Sequence, residues 1–249
     1  FLTEIATTIG VLQHAIKNVD KWTKDEKRPS NVDRPLFIRM LMGFLGSKSY
    51  IKYQPLGTVG VISPWNFPVN LILAPLGGIF AAGNRAMIKP SELTPATSEV
   101  TKRMFEAYFD KSEAAVFTGD AEVGAAFSAL PFDHLLFTGG TQIGKKVMKA
   151  ASDNLVPVTL ELGGKSPVIV DENADLSDVA KKVMRGKTMN AGQICLAPDY
   201  LMLPKGKSEE FAKASNEAVS EMFADLKYNE DYTSVINERH YERINELVS

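Results

Sequence analysis

Apolar residues recur along the chain with two different spacings. Short, continuous apolar runs predict β-strands, and longer segments with apolar residues every three or four positions predict helices. The predicted strands are Thr58–Ser63, Arg85–Lys89, Ala114–Phe117, His134–Phe137, Val156–Leu162, Pro167–Val170 and Tyr200–Leu203. The predicted helices are Val69–Ala82, Pro95–Phe109, Gln142–Ser152, Leu176–Asn190 and Ser208–Leu226.

Alternation of apolar strands with helices is typical of an α/β fold. Strands that are apolar on both sides predict a parallel sheet with helices on both faces. Before the first of these strands, a helical spacing of five apolar residues predicts an amphipathic helix packed on the domain: Ile5, Ile9, Leu12, Ile16 and Val19.

Composition excludes several classes of protein. The chain has 249 residues, of which 45% are hydrophobic and 23% charged, and its net charge is −2. Nothing here indicates a nucleic-acid partner, which requires a basic surface. The most apolar stretch, 71–82, is broken by Pro75, Gly77 and Gly78, so no membrane segment is predicted. The N-terminus lacks signal-peptide features, and a single cysteine fits a reducing compartment, so a cytoplasmic location is expected.

Several polar motifs follow the carboxyl ends of predicted strands, where parallel sheets bind ligands. Trp65 and Asn66 follow the first strand, Lys89 to Glu92 the second and Gly139 to Gly144 the fourth, while Glu161 closes the fifth. The sequence therefore predicts a binding site along this edge of the sheet.

Two of these motifs are candidates for holding a dinucleotide. Gly139, Gly140 and Gly144 lie in a turn that leads into a helix, whose N-terminus favours an anion. Thr141 breaks the G-x-G-x-x-G fingerprint, and a simple tight turn remains an alternative. Lys89 can donate to ribose or phosphate, and Glu92 can accept from ribose hydroxyls. A solvated loop with a helix cap is the alternative.

Cys195, Glu161 and Asn66 supply a nucleophile, a carboxylate and an amide donor, the parts of thiol-based acyl chemistry. Each has a structural alternative: an inert cysteine, an acid paired to a lysine, and a turn asparagine. The three histidines suggest no metal site. His134 leaves open a cofactor-free cysteine hydrolase.

Taken together, five segments resemble the aldehyde dehydrogenase superfamily in order and spacing. They are Pro64–Pro68, Lys89–Glu92, Phe137–Gly139, Leu160–Lys165 and Gly192–Cys195. Residues 70–71, 74–76 and 196–200 resemble the class 3 branch of fatty-aldehyde and coniferyl-aldehyde enzymes. Within it, residues 54–57 and 156–167 most resemble coniferyl aldehyde dehydrogenases.

This resemblance implies NAD(P)-dependent oxidation of an aldehyde, aromatic and coniferyl-like, to a carboxylic acid. Cys195 would form a thiohemiacetal and then a thioester, Asn66 would hold the oxyanion, and Glu161 would activate water. NAD is the expected cofactor, with NADP as a second candidate. The residues that would bind it are Trp65, Lys89, Glu92, Gly139, Gly140, Gly144, Leu162 and Gly163. Gly140 replaces a serine of many family members, which removes one hydroxyl contact to the pyrophosphate.

The resemblance also implies an organisation. Residues 1–163 would form a Rossmann-like NAD-binding domain with a bridging hairpin at about 33–55, and residues 164–249 the first part of a catalytic domain. Because family features after the nucleophile have no counterpart, the chain is expected to be a piece of a longer homo-oligomeric enzyme. An inactive, truncated or non-catalytic protein of the same fold is the alternative.

Overall fold

The computed structural model describes residues 2–29 and 33–248. The described chain falls into two compact units, Phe1–Glu161 and Leu162–Ser249. The resemblance predicts a division after residue 163; the boundary between the two units lies after Glu161, the next-to-last residue of a strand.

The first unit contains most of the strands. It opens with a π-helical turn, Leu2–Ala6, and continues as α1 (Thr7–Trp22), β1 (Glu26–Arg28), α2 (Leu36–Phe44), β2 (Ser49–Ile51), β3 (Thr58–Ile62), α3 (Asn70–Ala81), β4 (Arg85–Lys89), α4 (Pro95–Tyr108), β5 (Ala114–Val116), α5 (Ala121–Ser128), β6 (His134–Gly139), α6 (Thr141–Ser152) and β7 (Val158–Leu162).

Strands β3 to β7 form one sheet in the order β5-β4-β3-β6-β7. Strand β3 is central and pairs in parallel with both neighbours: Val59 lies opposite Ala86 on β4 and His134 on β6. The chain runs outward from β3 in one direction and then returns to add β6 on the other side. This reversal makes the carboxyl ends of β3 and β6 the topological switch point, where such sheets bind ligands.

The sheet is buried on both faces, as its apolar strands predict. Val59, Gly60 and Val61 are consecutive and all buried, so neither face of β3 is open to water. Ile72 and Leu76 of α3 pack into the same core, and each fully buried aliphatic side chain contributes about 1.5–3 kcal/mol. The α/β class and the parallel sheet are therefore confirmed.

The N-terminal helix is present, but it buries only part of the predicted face, on which Leu12 and Val19 are half-buried. Ile9 and Ile16 are exposed, whereas Thr8 and Ala15 are buried. Small side chains are needed here because α1 crosses α3 closely: a Cβ on Gly77 would lie 3.3 Å from Leu12 and 3.5 Å from Ala15. Close packing of small residues, which hydrophobic periodicity does not detect, determines this face.

The predicted hairpin at 33–55 requires correction. Residues 36–44 form helix α2, and only β2 lies within the predicted range as a strand. Strand β2 pairs antiparallel with β1, which precedes that range, with Lys27 opposite Tyr50. The segment between β1 and α2 includes residues 30–32, which lie outside the described part. The apolar sequence of 36–45 has helical rather than alternating spacing, which explains the difference.

Helix α5 was not predicted from the sequence. Its eight residues include Gly124, which weakens a helical pattern. Asp120 compensates as an N-cap, since its carboxylate accepts from the N–H groups of Glu122 at 3.0 Å and Val123 at 3.2 Å.

The second unit contains β8 (Ser166–Ile169), α7 (Leu176–Thr188), a 3₁₀ turn (Met189–Gly192), β9 (Pro198–Met202), α8 (Ser208–Met222) and α9 (Glu238–Val248). Strands β8 and β9 pair in parallel. Helix α7 buries Leu176, Ala180 and Val183 with Phe211 of α8. The predicted end of α7 at Asn190 is wrong by two residues, because the chain leaves the α-helix at Met189.

In the described ranges, no helix combines the length and apolar character needed to cross a bilayer.

Candidate active site

Lys89 is the last residue of β4 and is buried, with only 3% of its side chain exposed. Its Nζ donates to the carbonyl oxygen of Pro90 at 2.7 Å and lies 3.4 Å from Oε2 of Glu92. A lysine ammonium has three N–H donors. Among the residues that the structure describes, these two acceptors leave one donor for a ligand.

Ser63 adds a second unsatisfied donor beside Lys89. Its N–H donates to the carbonyl oxygen of Lys89 at 3.1 Å, which fixes the residue at the ends of β3 and β4. The Ser63 hydroxyl is buried and has no hydrogen-bond partner within residues 2–29 and 33–248. Sequence reasoning missed Ser63 because it reads as the end of an apolar strand. A buried hydroxyl without a partner suits a polar ligand at this edge.

The turn between β6 and α6 presents an open helix N-terminus. Gly140 is the N-cap and has no side chain to accept from the first N–H groups. Its carbonyl accepts from Ile143 and Gly144, both at 3.0 Å, so the helix begins directly after it. A Cβ added to Gly140 would meet nothing within 4 Å. Space and exposed N–H groups together match an anionic group such as a pyrophosphate.

The other two glycines of this turn have packing reasons of their own. A Cβ on Gly139 would lie 2.6 Å from the ring of Phe137. Gly144 is buried on the face of α6 that packs inward. Their role in ligand binding therefore stays a prediction, while their role in bringing the turn and helix together is visible in the structure.

Trp65 and Asn66 lie in the connection between β3 and α3, at the switch point. Both are half-buried, and Leu71 donates to the carbonyl oxygen of Phe67 at 3.0 Å, so α3 starts to form just after them. The prolines at 64 and 68 limit the backbone of this connection. Asn66 therefore follows the same strand end as Ser63, in a connection whose backbone is restricted.

Glu161 lies on the exposed side of β7, next to the last strand residue, Leu162. No ion pair in the described ranges involves Glu161, so the alternative of an acid paired to a lysine is not what the structure contains. Gly163, which directly follows Leu162, is exposed. A Cβ there would meet nothing within 4 Å, which leaves room beside the strand end.

Cys195 is exposed and lies three residues after an unusual turn. Asn190, Ala191 and Gly192 have φ values of 50°, 52° and 74°, so three consecutive residues are left-handed. Each non-glycine residue in this conformation costs about 1–2 kcal/mol. Such strain persists only where the surroundings fix it, and it concentrates at functional sites. An exposed thiol after a strained turn does not fit the inert, buried cysteine.

His134 is the residue on which the alternative of a cofactor-free cysteine hydrolase depends. It is the first residue of β6 and so lies at the amino end of the sheet. Its Nε2 is 2.8 Å from the hydroxyl of Thr159 on the adjacent strand. The candidate motifs lie at the opposite, carboxyl ends of the strands. Within the described residues, no group of three or more His, Cys, Asp or Glu side chains is arranged to hold a metal ion.

The first unit thus has a parallel sheet with open donors at its switch point, and the second unit has an exposed thiol after a strained turn. Comparison with known families shows that the aldehyde dehydrogenase family model matches residues 1–249. The chain belongs to the aldehyde dehydrogenase family.

Two relatives are named as dehydrogenases of the same substrate, coniferyl aldehyde. A probable coniferyl aldehyde dehydrogenase of Caulobacter vibrioides is 56% identical over 243 residues, covering 98% of this chain and 49% of the relative. A coniferyl aldehyde dehydrogenase of a Pseudomonas species is 51% identical over 248 residues, covering 100% and 49%. The chain thus spans about half the length of these relatives.

Solved structures confirm the fold. The substrate-bound state of Staphylococcus aureus AldH superposes with a TM-score of 0.89 at 41% identity, over 100% of this chain and 52% of that one. An aldehyde dehydrogenase of Mycobacterium tuberculosis complexed with NAD⁺ superposes with a TM-score of 0.81 at 26% identity, over 97% and 48%.

Proposed function

We propose that the protein to which this chain belongs oxidises an aldehyde to a carboxylic acid with NAD⁺, and that Cys195 is the nucleophile. The observation that carries the proposal is the exposed thiol of Cys195 on a strained turn, in a chain that belongs to the aldehyde dehydrogenase family. The other residues are assigned by what their chemistry can do for that thiol.

In the acyl step, the sulfur of Cys195 attacks the aldehyde carbon and the carbonyl oxygen becomes negatively charged. The side-chain amide of Asn66 and the backbone N–H of Cys195 donate to this oxyanion. Fixed donors of this kind are worth about 10²–10³ in rate, because they are already oriented when the charge develops. The half-buried position of Asn66 between two prolines supports its assignment as a fixed donor.

In the hydrolytic step, Glu161 takes a proton from water, which then attacks the thioester and releases the acid. Thioesters suit this sequence because the thiolate is a good leaving group. The absence of any ion pair to Glu161 in the described ranges leaves its carboxylate available as a base.

Lys89, Glu92 and the N-terminus of α6 would hold the dinucleotide. The unused donor of Lys89 and the carboxylate of Glu92 match ribose hydroxyls. The open N–H groups after Gly140 match the pyrophosphate. Trp65 follows β3, Leu162 ends β7 and Gly163 comes next, and these residues would add contacts to the cofactor. The Ser63 hydroxyl, which has no hydrogen-bond partner among the described residues, would join them. When bound, NAD⁺ would accept the hydride that leaves the Cys195 thiohemiacetal, and this two-electron oxidation yields the thioester.

The substrate class we propose is an aromatic aldehyde of the coniferyl type. It rests on the two relatives that carry this name and are 56% and 51% identical to the chain over the aligned residues. The test is to compare kcat/KM for coniferyl aldehyde with that for a straight-chain aldehyde of similar carbon number, using the full-length protein and NAD⁺. A higher value for the straight-chain aldehyde contradicts the substrate assignment but not the reaction.

A further inference from the structure

The side chain of Gln193 hydrogen-bonds to the left-handed turn before Cys195 and to a distant segment of the chain. Its Nε2 donates to the carbonyl oxygen of Asn190 at 2.9 Å and to that of Ser234 at 3.1 Å. Its Oε1 accepts from the N–H of Ile236 at 2.9 Å. The amide therefore joins the turn to a segment more than forty residues later in the chain.

The backbone of Gln193 contributes to the same turn. Its N–H donates to the carbonyl oxygen of Asn190 at 3.0 Å, so that oxygen accepts from both the backbone and the side chain of one residue. Two donors on one carbonyl oxygen, at the start of three left-handed residues, hold a conformation that a free chain rarely adopts.

The contacts to Ser234 and Ile236 are to backbone atoms. They therefore fix the position of the turn, irrespective of the side chains in the later segment. Two residues after Gln193 stands Cys195, and the next turn closes there, since the N–H of Ala197 donates to the carbonyl oxygen of Ile194 at 3.1 Å. Displacement of Gln193 would move the Cys195 sulfur and N–H together.

We propose that Gln193 is a positioning residue that fixes the nucleophile loop by clamping the left-handed turn to the backbone at Ser234 and Ile236. The kinetic consequence of this inference rests on the proposed function, because the sulfur and the N–H of Cys195 would have to be correctly placed against the aldehyde. The clamp acts through the backbone of the loop and makes no contact with the reacting atoms.

Chemistry distinguishes a hydrogen-bonding clamp from simple packing. Gln193→Met keeps the length of the side chain and removes all three hydrogen bonds. Gln193→Glu keeps its shape and the acceptor for Ile236, but it places a carboxylate oxygen against the carbonyl oxygens of Asn190 and Ser234. If Gln193 acts through its hydrogen bonds, Gln193→Glu is expected to be at least as damaging as Gln193→Met. If its side chain only packs, Gln193→Glu is expected to resemble the unmutated protein.

The experiment measures two quantities on the full-length protein. The first is hydrogen–deuterium exchange of the peptide covering residues 190–197 and of the segment at 234–236. The second is kcat and KM for the aldehyde, beside the Kd for NAD⁺. Gln13→Glu, on an exposed position of α1, is the matched control for the change of charge. Gln193→Asn, which keeps the amide but shortens its reach, serves as a milder variant if the other two fold poorly.

The clamp predicts faster exchange in both segments for all three Gln193 variants and unchanged exchange in α7. It also predicts a fall in kcat of roughly 100-fold, with KM and the Kd for NAD⁺ within about twofold of the unmutated values, because small displacements of reacting groups are costly. The proposal would be overturned if Gln193→Met had the same exchange rate at 190–197, or the same kcat, as the unmutated protein. If the unmutated protein oxidises no aldehyde, the proposed function fails, and the exchange comparison alone decides whether the clamp exists.

Discussion

The ammonium of Lys89 lies 3.4 Å from the carboxylate of Glu92, and the two differ sharply in exposure: 3% of the lysine side chain is exposed against 46% of the glutamate. The lysine is thus fixed at the end of β4, while the glutamate is open to a ligand. A carboxylate at this position accepts from ribose hydroxyls and repels a 2′-phosphate, which the lysine would attract.

This pair predicts a preference for NAD⁺, with some use of NADP⁺. Glu92→Gln removes the repulsion between this carboxylate and a 2′-phosphate. It is expected to bring the kcat/KM for NADP⁺ closer to that for NAD⁺, mainly by lowering the KM for NADP⁺. Glu99→Gln, an exposed position on the following helix, is the control for a lost surface charge. Equal or better use of NADP⁺ by the unmutated protein contradicts this assignment.

Glu161→Gln tests the water-activating step. An amide cannot accept the proton, so thioester hydrolysis is expected to slow by about 10²–10⁴-fold, the usual contribution of a general base. Formation of the thioester does not need this base, so a pre-steady-state burst of NADH of about one equivalent is expected to remain. Loss of the burst together with turnover would place Glu161 earlier, at the activation of Cys195.

Gly192→Ala tests the turn itself. Gly192 has a φ of +74°, and an added Cβ would lie 3.1 Å from the carbonyl oxygen of Lys187. Gly206 has a φ of +80° with open space around it, so Gly206→Ala carries only the backbone cost of about 1–2 kcal/mol. Urea unfolding is expected to show a larger loss for Gly192→Ala, and only this variant is expected to lose dehydrogenase activity. Equal losses in both assays would show that the turn has no special constraint.

Asn84→Ala tests how the amino end of strand β3 is stabilised. The Asn84 Oδ1 accepts from the N–H of Leu56 at 2.6 Å and from that of Gly57 at 3.0 Å. Loss of this acceptor removes two hydrogen bonds at the start of β3, one exposed and one half-buried, at an expected cost of about 0.5–1.5 kcal/mol in the free energy of unfolding. The measurement is urea unfolding, with Asn18→Ala on α1 as control. A cost equal to that of the control would show that water replaces the acceptor.

The sequence predicts the sheet well because both faces are covered, so β3 and its neighbours read as continuous apolar runs. The ends of those strands then place Asn66, Lys89 and Glu161 without further information. Features set by close packing or by single hydrogen bonds escape the pattern. The buried face of α1 depends on the missing side chain of Gly77, and α5 depends on the Asp120 cap.

The same limit applies at the candidate site. The sequence identifies Cys195 by its motif, but the left-handed turn before it appears only in the structure, since Asn190 and Ala191 carry no signal for positive φ as strong as glycine does. The clamp by Gln193 joins residues that lie far apart in the chain, and no local pattern indicates such a contact. The hydroxyl of Ser63 was missed because a serine at a strand end has many ordinary roles.

The central claim is that Cys195 is the nucleophile of an NAD⁺-dependent aldehyde oxidation. Since it is the single cysteine in the chain, Cys195→Ala removes the only thiol that these 249 residues can offer. The most direct measurement compares NADH formation from coniferyl aldehyde, and the Kd for NAD⁺, in the unmutated full-length protein and this variant. The account predicts that turnover is abolished while the Kd for NAD⁺ changes by less than about twofold, because the residues proposed to hold the dinucleotide do not include Cys195. Turnover at more than a small fraction of the unmutated rate in Cys195→Ala would contradict it.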